Sequence, residues 1–493
     1  MNNFIFKHKD YIDVLALALC LLVFSFWIFL LNYKFYHFGY YDWDLAFFSQ
    51  GMWNLCHGSG YASVFGINIF TNHANLIAYI ILPLYKIFPH PLTLVYLKVI
   101  SYIIAAFVLY LLAKEKLGSS SAMLLLWLYL SYTPNIFGLL YEFDFESLAP
   151  GPLMLILYFY VKDRWVGFMI CALFLILIKE NLPLIILAFS IHALFVKKDK
   201  IRWVLIPGTI AIISFYLLVF VYMPLVSGRG IGDEHPYYIG NNYRNFGGTI
   251  EALLFFPIFH PIKFWFYLMN PLNLSFLDAI FNPLMYLPLA APGVLFLISP
   301  ILLQHLLSAS PTEHNIRYAY VMTMAPFLFL AIIETFMLFY KKLKREYHLT
   351  LILLLTISII VLDVNFHVFK ARFLMSETLN QTNEVIRDRW KLVHTIPQDA
   401  SVVASFSFLA QLSQRKNLYA FYKIYDSNYQ NTKWPFKLPS KVEYALIDTH
   451  DPWLFTENKY KLTQARIISF LTSGHWYILK QYGRYILYKR EVV

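Results

Sequence analysis

The sequence predicts an all-α polytopic membrane bundle of about 11 spans followed by a small extracytoplasmic α/β domain. Its composition is the first reason, because 59% of the 493 residues are hydrophobic and only 14% are charged, whereas soluble domains are about 25% charged. Its patterning is the second, because apolar stretches long enough to cross a bilayer recur from residue 12 to about residue 367. This number of apolar residues is larger than one soluble core can bury. A purely soluble enzyme, a disordered protein and a fibrous protein are therefore excluded.

Each predicted span corresponds to one apolar run, and the first run must be distinguished from a signal peptide. The run 12–31 follows basic residues, as a signal peptide would, but it is about 20 residues long and no small-residue cleavage site follows it. It therefore predicts an uncleaved first span. The other predicted spans are 91–113, 120–140, 148–161, 165–179, 182–196, 203–223, 276–291, 293–307, 318–340 and 349–367.

Basic residues indicate the orientation of the bundle. Because short cytoplasmic loops carry an excess of Lys and Arg, basic clusters on alternate connections are predicted to be cytoplasmic together with the N-terminus. These clusters lie at 7–9, 114–116, 162–164, 197–202 and 341–345. An odd number of spans then places the tail outside. The predicted domains are a transmembrane domain, 1–369, with long outer loops 32–90 and 224–275, and an extracytoplasmic α/β domain, 370–493.

Within the loops and the tail, smaller elements are predicted from local pattern. Each long outer loop is predicted to contain a helix lying in the membrane interface, at 75–88 and at about 250–270. The tail is predicted to contain strands at 400–405 and 444–448, helices at 408–414 and 462–472, and a terminal hairpin around Gly483. The tail carries 18 Lys and Arg against 10 Asp and Glu residues. In a membrane protein, such basicity indicates anionic lipid or lipid phosphate and not nucleic acid.

Two acidic residues stand at the outer mouth of the first span. Asp42 and Asp44, among aromatic residues, are predicted to lie where water meets lipid. A carboxylate there could take a proton from an acceptor hydroxyl, or hold a divalent cation against phosphate oxygens. The alternative interpretation is a pair of solvated loop acids.

A second acidic cluster, Glu142, Asp144 and Glu146, is predicted to emerge on the same side. All three carboxylates share a face if the segment is extended, and only the first and last do so in a helix. Grouped carboxylates raise each other's pKa or require a cation. With His73 they could complete a Mg²⁺ or Mn²⁺ site or an acid–base site, the alternative being a helix cap and a hydrogen-bonded histidine.

Cationic candidates lie at the ends of later spans. Lys179 and Glu180 interrupt an apolar helical pair, so Lys179 could bind a phosphate or simply pair with its neighbour. Arg317 and Tyr318 follow a polar group at the outer end of the late spans, and a guanidinium gives phosphate a bidentate partner. The sequence contains no P-loop, no zinc or redox motif and no Arg-rich span.

The segment 43–54, Trp-Asp-Leu-Ala-Phe-Phe-Ser-Gln-Gly-Met-Trp-Asn, resembles the opening signature of a known bacterial family. That family comprises predicted polytopic membrane proteins of unknown function and is placed in the GT-C superfamily of membrane glycosyltransferases. The signature continues at 57–58 and 72–73. Weaker matches extend the resemblance over nearly the whole chain, at 82–85, 144–145, 179–180, 317–318, 326, 396–402 and 415. The chain departs from the family pattern at Ser49, where the family usually has Asp, and at Glu146, where it tends to have His.

The resemblance implies a GT-C-like architecture in the bacterial inner membrane. It implies a glycosyltransferase that uses a polyprenyl-phosphate-linked sugar and a lipid, glycan or protein acceptor on the outer face. Asp44, with Asp42, would be the catalytic base. The implied binding residues for the lipid phosphate are His73, Lys179, Arg317, Tyr318 and Gln50. The implied supporting acids, or ligands of a divalent metal, are Asp144, Glu146, Glu142 and Glu180. No other cofactor is expected.

Two other functions remain open from the sequence. A transporter or flippase of a lipid-linked or small polar substrate should show ionisable residues in mid-span and an internal repeat. Here the ionisable residues gather near span ends and no repeat is visible, so this function ranks second. A non-catalytic membrane scaffold, whose tail binds a partner, is the third and is left open by the departures at Ser49 and Glu146.

Overall fold

The computed structural model describes residues 2–40, 44–232, 236–340, 381–421, 438–451, 469–472 and 474–491, with isolated residues between 350 and 380. Helices dominate the part before residue 341. They are α1 Asn2–Tyr36, α2 Asp44–Cys56, α3 Ile69–Asn72, α4 Ile77–Ile87, α5 Pro91–Leu117, α6 Ser119–Ser131, α7 Thr133–Leu140, α8 Pro150–Val161, α9 Trp165–Ile178, α10 Pro183–Val196, α11 Ile206–Tyr216, α12 Met223–Val226, α13 Ile250–Phe259, α14 Pro261–Leu268, α15 Pro271–Phe281, α16 Pro292–Leu307 and α17 Ala325–Tyr340. The tail adds α18 Asn383–Thr395 and α19 Phe406–Leu412.

Four helices of the described chain are long and apolar enough to cross a membrane: Tyr11–Tyr36, Pro91–Leu117, Ile201–Val226 and Ala319–Tyr340. The third joins α11 and α12 through π-helical turns, and the fourth begins with a 3₁₀ turn before α17. A fifth span results if α6 and α7, which are bent by 43° at Tyr132, count as one broken helix. Several apolar spans are thus present, while α8, α9, α10 and α16 are shorter apolar helices.

The predicted spans at 276–291 and 349–367 do not appear as continuous helices among the described residues. The prediction of a span at 276–291 is wrong, because α15 ends at Phe281 and two 3₁₀ turns follow it. Pro283 and Pro288 stand in those turns, and proline lacks the N–H that a continuous helix would need. The predicted span 349–367 lies almost entirely outside the described residues.

The two predicted loop helices are present in the structure. The first is α4, and the second is the pair α13 and α14, which together contain no buried residue. Large apolar side chains such as Phe259, Ile262 and Phe266 are exposed on this pair. An unburied apolar helix pair of this kind is typical of a segment whose outer surface faces lipid.

Lysine side chains hold the end of α7 in place. The last carbonyl groups of a helix have no partner within it. Lys98 of α5 is fully buried, and its Nζ lies 2.8–3.1 Å from the carbonyl oxygens of four residues: Gly138, Leu139, Tyr141 and Glu142. Lys34 of α1 donates to the remaining carbonyl, that of Leu140. The segment that leaves α7 is thereby fixed to both α1 and α5.

In the tail, five strands form a mixed sheet of order β4-β3-β5-β7-β6. Strand β3, Val402–Ala404, runs parallel to β4, Leu418–Ala420, and to β5, Tyr444–Asp448. Strand β7, Tyr485–Arg490, lies antiparallel between β5 and β6, Trp476–Tyr482. The predicted strands and the hairpin at Gly483, whose φ is 54°, are confirmed. The predicted helix 462–472 lies mostly outside the described residues.

Gln50 of α2 connects the first outer loop to the tail. A short hairpin, β1 Tyr61–Ala62 and β2 Ile67–Asn68, follows α2. The Gln50 amide nitrogen donates to Ser63 Oγ at 2.9 Å and to the carbonyl of Arg415 at 3.1 Å. Its amide oxygen accepts from the Val64 N–H at 2.9 Å. Gln50 therefore joins the first outer loop to the tail through hydrogen bonds.

We expect Lys98→Met to lower the free energy of unfolding by about 2–4 kcal/mol, because it leaves buried carbonyl groups without their charged donor. Lys86→Met is the matched control, since Lys86 is exposed on α4, and should change stability by less than about 0.5 kcal/mol. Denaturant unfolding in detergent measures both. Equal effects of the two substitutions would contradict the role of Lys98.

Candidate functional site

The candidate site forms where three short turns meet. The first links α9 to α10: Lys179 ends α9 in an extended conformation, and Pro183 begins α10. The second is the 3₁₀ turn Phe145–Leu148 before α8. The third is the 3₁₀ turn Pro311–His314 after α16. Each turn breaks an apolar helix and brings polar side chains to the same region.

At the base of the site, Lys179 and Glu146 form a buried ion pair, with side chains only 5% and 2% exposed. Asp144 caps the turn that carries Glu146, since its Oδ1 accepts a hydrogen bond of 2.8 Å from the Glu146 N–H. Charges of this kind are costly to bury unless they are paired. The pair therefore fixes the position of the Lys179 ammonium.

Two carboxylate–histidine pairs flank this ion pair. His73 Nδ1 lies 2.7 Å from Glu180 Oε1, and the other carboxylate oxygen accepts from the Ala74 N–H at 3.1 Å. Burial opposes the charge of Glu180, yet His73 and Lys179 lower the pKa of its carboxyl to about 2. His305 Nδ1 likewise lies 2.7 Å from Glu313 Oε2.

Burial also opposes the charge of Glu313, but His305 lowers the pKa of that carboxyl below its usual value. Both glutamates are consequently ionised near neutral pH. The polar residues of the site thus form a network of opposite charges and not a purely cationic patch.

The network lies at one end of a cavity of about 530 Å³. The polar end is lined by His73, Lys179, Glu180, Asn181, Asn242, Tyr243, Gln304, Glu313 and Tyr320. The remaining walls are apolar and come from α10 to α14 and from α16, including Leu184, Phe215, Met223, Leu253, Phe264 and Leu303. A pocket with a small charged end and long apolar walls suits an amphiphilic ligand.

Three tyrosines connect Asp44 to this cavity. The Tyr141 hydroxyl donates to Asp44 Oδ2 at 2.5 Å. The Tyr141 ring contacts that of Tyr318, with 5.0 Å between centroids, and Tyr318 stacks on Tyr320 at 5.8 Å. The Lys179 Nζ lies 5.4 Å from the centroid of the Tyr320 ring. Asp44 thus does not line the cavity and is linked to it through this row of rings.

The structure brings some predicted residues together and separates others. His73, Lys179 and Glu180 line the cavity, with Asp144 and Glu146 behind Lys179. Tyr318 stacks on Tyr320, which lines the cavity, and Asp44 is linked to the cavity only through Tyr141 and Tyr318. Glu142 instead accepts from the Leu45 N–H at 2.9 Å and so holds the start of α2.

Three further predicted residues lie elsewhere. Gln50 is at the junction with the tail. Arg317 is exposed and is not part of the cavity lining. Asp42 falls outside the described residues. Within the described chain, no group of three or more His, Cys, Asp or Glu side chains is placed to hold a metal ion, and the divalent metal stays a prediction.

The comparisons with known proteins place the chain in a family. Residues 34–484 match the model of a family described as "Predicted membrane protein (DUF2079)". The chain belongs to this family. No curated protein matches the sequence. As a member of the DUF2079 family, the chain is a predicted membrane protein, as its apolar helices indicate.

The fold resembles that in the crystal structure of ArnT from Cupriavidus metallidurans in the apo state. The two chains share 10% sequence identity, the match covers 98% of each, and the TM-score is 0.52. This likeness supports an ArnT-like fold for the DUF2079 protein. At this identity it shows the fold alone.

Some residues of the site were missed in the sequence. Asn181 and Gln304 both line the cavity and are joined by a hydrogen bond of 2.9 Å. Tyr320 lies between Lys179 and Tyr318. A signal for Gln304 existed, because an uncharged polar residue interrupts an apolar run there. No sequence signal marked Tyr320, because aromatic residues make up 19% of the chain and one more tyrosine does not stand out.

We expect Lys179→Met and Glu146→Gln each to lower the free energy of unfolding by about 3 kcal/mol, because each leaves one buried charge or polar group without its partner. The double substitution should cost less than the sum of the two, with a coupling energy above about 1 kcal/mol. Unfolding in detergent measures this cycle.

The exposed pair Lys162 and Glu115 provides the control cycle, and its coupling should stay below about 0.5 kcal/mol. Additive effects at Lys179 and Glu146 would show that the buried pair does not stabilise the site.

Proposed function

We propose that this protein is an integral membrane glycosyltransferase. It would move a sugar from a polyprenyl-phosphate donor to a lipid, glycan or protein acceptor on the outer face of the membrane. One observation carries the proposal: an amphiphilic cavity has a buried charged end, and a row of tyrosines, Tyr320, Tyr318 and Tyr141, leads from that end to the carboxylate of Asp44. The GT-C-like fold and the family membership support it.

The donor fits the two halves of the cavity. Its prenyl chain would lie along the apolar walls contributed by α11, α13 and α16, and its phosphate and sugar would lie at the polar end. An ammonium group has three N–H donors, so the pairing of Lys179 with Glu146 leaves donor capacity for a phosphate oxygen. His73, which pairs with Glu180, lines the same end of the cavity. The amides of Asn181 and Gln304 would hydrogen-bond the sugar.

Asp44 would serve as the general base. The acceptor hydroxyl attacks the anomeric carbon, the bond from that carbon to the phosphate oxygen breaks, and polyprenyl phosphate leaves with the electron pair. The hydroxyl proton passes to Asp44, whose carboxylate is oriented by the Tyr141 hydroxyl.

The proposed location is the bacterial inner membrane, with the N-terminus in the cytoplasm and the tail outside. The five basic connections support this orientation. The site lies at the ends of α9 and α16 that are remote from the basic turn 162–164. A prenyl-linked sugar in the outer leaflet would therefore meet the site directly.

We expect Asp44→Asn to lower the transfer rate at least about 100-fold, because the general base is lost. Asp278→Asn is the matched control: Asp278 is an exposed aspartate that also accepts a hydrogen bond from a tyrosine, Tyr286, and the variant should transfer at the wild-type rate. The assay measures sugar transfer from a polyprenyl-phosphate sugar by purified protein in detergent.

Unchanged transfer by the Asp44 variant would remove this residue from the mechanism. Movement of the lipid-linked sugar across liposomes without any covalent product would favour the transporter instead. Binding of the donor without either activity would favour a scaffold.

We expect Leu253→Trp to raise the KM for a long-chain donor at least about tenfold, because the indole ring fills space that the chain would occupy and even a methylene-sized misfit in an apolar pocket costs about 1–3 kcal/mol. Leu253 lines the cavity, whereas Ile258 is exposed on the same helix and does not. Ile258→Trp is therefore the control. A donor with a short prenyl chain should be less affected, and equal effects of both variants would contradict the assigned path of the chain.

A further inference from the structure

A second cavity lies at the opposite end of α8 and α9 from the Lys179 site. It has a volume of about 560 Å³, and its lining includes Arg164, Trp165, Arg202 and one acidic residue, Asp163, whose carboxylate pairs with Lys197. The 14 residues of α9 span about 21 Å at 1.5 Å per residue. The cavity is therefore separate from the proposed transfer site.

Local contacts position the two arginines around this cavity. The Trp165 indole N–H donates to the carbonyl of Arg202 at 2.6 Å and so ties the loop after α10 to the α8–α9 turn. Asp163, with a φ of 54°, turns the chain sharply before Arg164. Gly167 allows close packing, because a Cβ there would lie 2.6 Å from the Phe159 ring.

Neighbouring lysines already have acidic partners, but Arg164 does not. Lys162 pairs with Glu115. Lys197 pairs with Asp163 and also lies over aromatic rings. Arg164 is exposed at the cavity, and among the residues that the structure describes no carboxylate lies within ion-pair distance of it. Its guanidinium is thus available to an anion.

Arg202 has only a weak partner, because its Nε lies 3.5 Å from Asp199 Oδ2 in a largely exposed pair. Such pairs contribute little. Exposed apolar side chains continue from the cavity along the helices, with Val166 and Ile170 on α9 and Leu205 on the neighbouring helix. The cavity therefore opens onto a surface suited to acyl chains.

We propose that this cavity binds the phosphate of an anionic phospholipid. A guanidinium forms bidentate hydrogen bonds with phosphate oxygens, and Trp165 suits the headgroup level of a bilayer. The acyl chains lie along Val166, Ile170 and Leu205. The lipid is favoured over free phosphate because the charged cavity and the exposed apolar surface are continuous.

Native mass spectrometry of the full-length protein in detergent tests this proposal, with phosphatidylglycerol and phosphatidylcholine as probes. Phosphatidylglycerol should bind more tightly. R164Q and R202Q should each lower its affinity about fivefold, since one basic residue near a lipid surface contributes about 1 kcal/mol. R164K should restore only part of the affinity lost in R164Q, because an ammonium group keeps the charge but not the bidentate hydrogen bonds. K198Q is the control, because Lys198 carries the same charge in the same loop but does not line the cavity.

Equal affinity for the two lipids would overturn the proposal, as would equal effects of K198Q and R164Q. Displacement of phosphatidylglycerol by millimolar inorganic phosphate alone would also overturn it and assign the cavity to free phosphate. Arg202 lies after α10 and not in the α8–α9 turn, so R202Q tests the site even if R164Q disturbs the fold of that turn. None of these measurements depends on glycosyl transfer, so failure here is distinguishable from failure of the proposed function.

Discussion

A buried lysine that binds the end of a helix is the constraint on which the rest of the site depends. Lys98 and Lys34 satisfy the last carbonyl groups of α7 from two other helices. In a low-dielectric interior, those carbonyls would otherwise be costly to bury. The lysines therefore fix both the end of α7 and the direction of the segment that follows. Tyr141, Glu142 and Glu146 all lie on that segment, so the position of each depends on this anchor.

Two series of contacts begin at the segment that Lys98 and Lys34 hold in place. One runs through Tyr141 to Asp44, and Glu142 holds the start of the same helix α2 through the Leu45 N–H. The other runs through Glu146 to Lys179. The candidate base and the candidate phosphate-binding group are thus held by neighbouring residues of one segment. Preorganised charges of this kind act without reorganisation when a substrate binds.

The polar end of the cavity contains paired charges and no isolated cation among the described residues. Lys179 and the histidines are each paired with a carboxylate, so the polar end carries both signs. Such a network keeps its charges fixed in an apolar bundle, whereas isolated cations would repel one another and lose hydration. The apolar walls are formed partly by α13 and α14, whose outer faces are exposed. The same helices therefore form part of the cavity wall and also present an exposed apolar surface.

The sequence alone determined the features that depend on local pattern. Hydropathy predicted a membrane protein with several apolar helices, and the alternation around Gly483 predicted the terminal hairpin, because these depend on residues close in the chain. Tertiary structure decided which polar residues meet. It placed Gln50 at the junction with the tail, left Arg317 exposed, gave Lys98 its four carbonyl partners and ended α15 at Phe281. Gln50 and Arg415, for example, are 365 positions apart, and no local pattern encodes a partner at that distance.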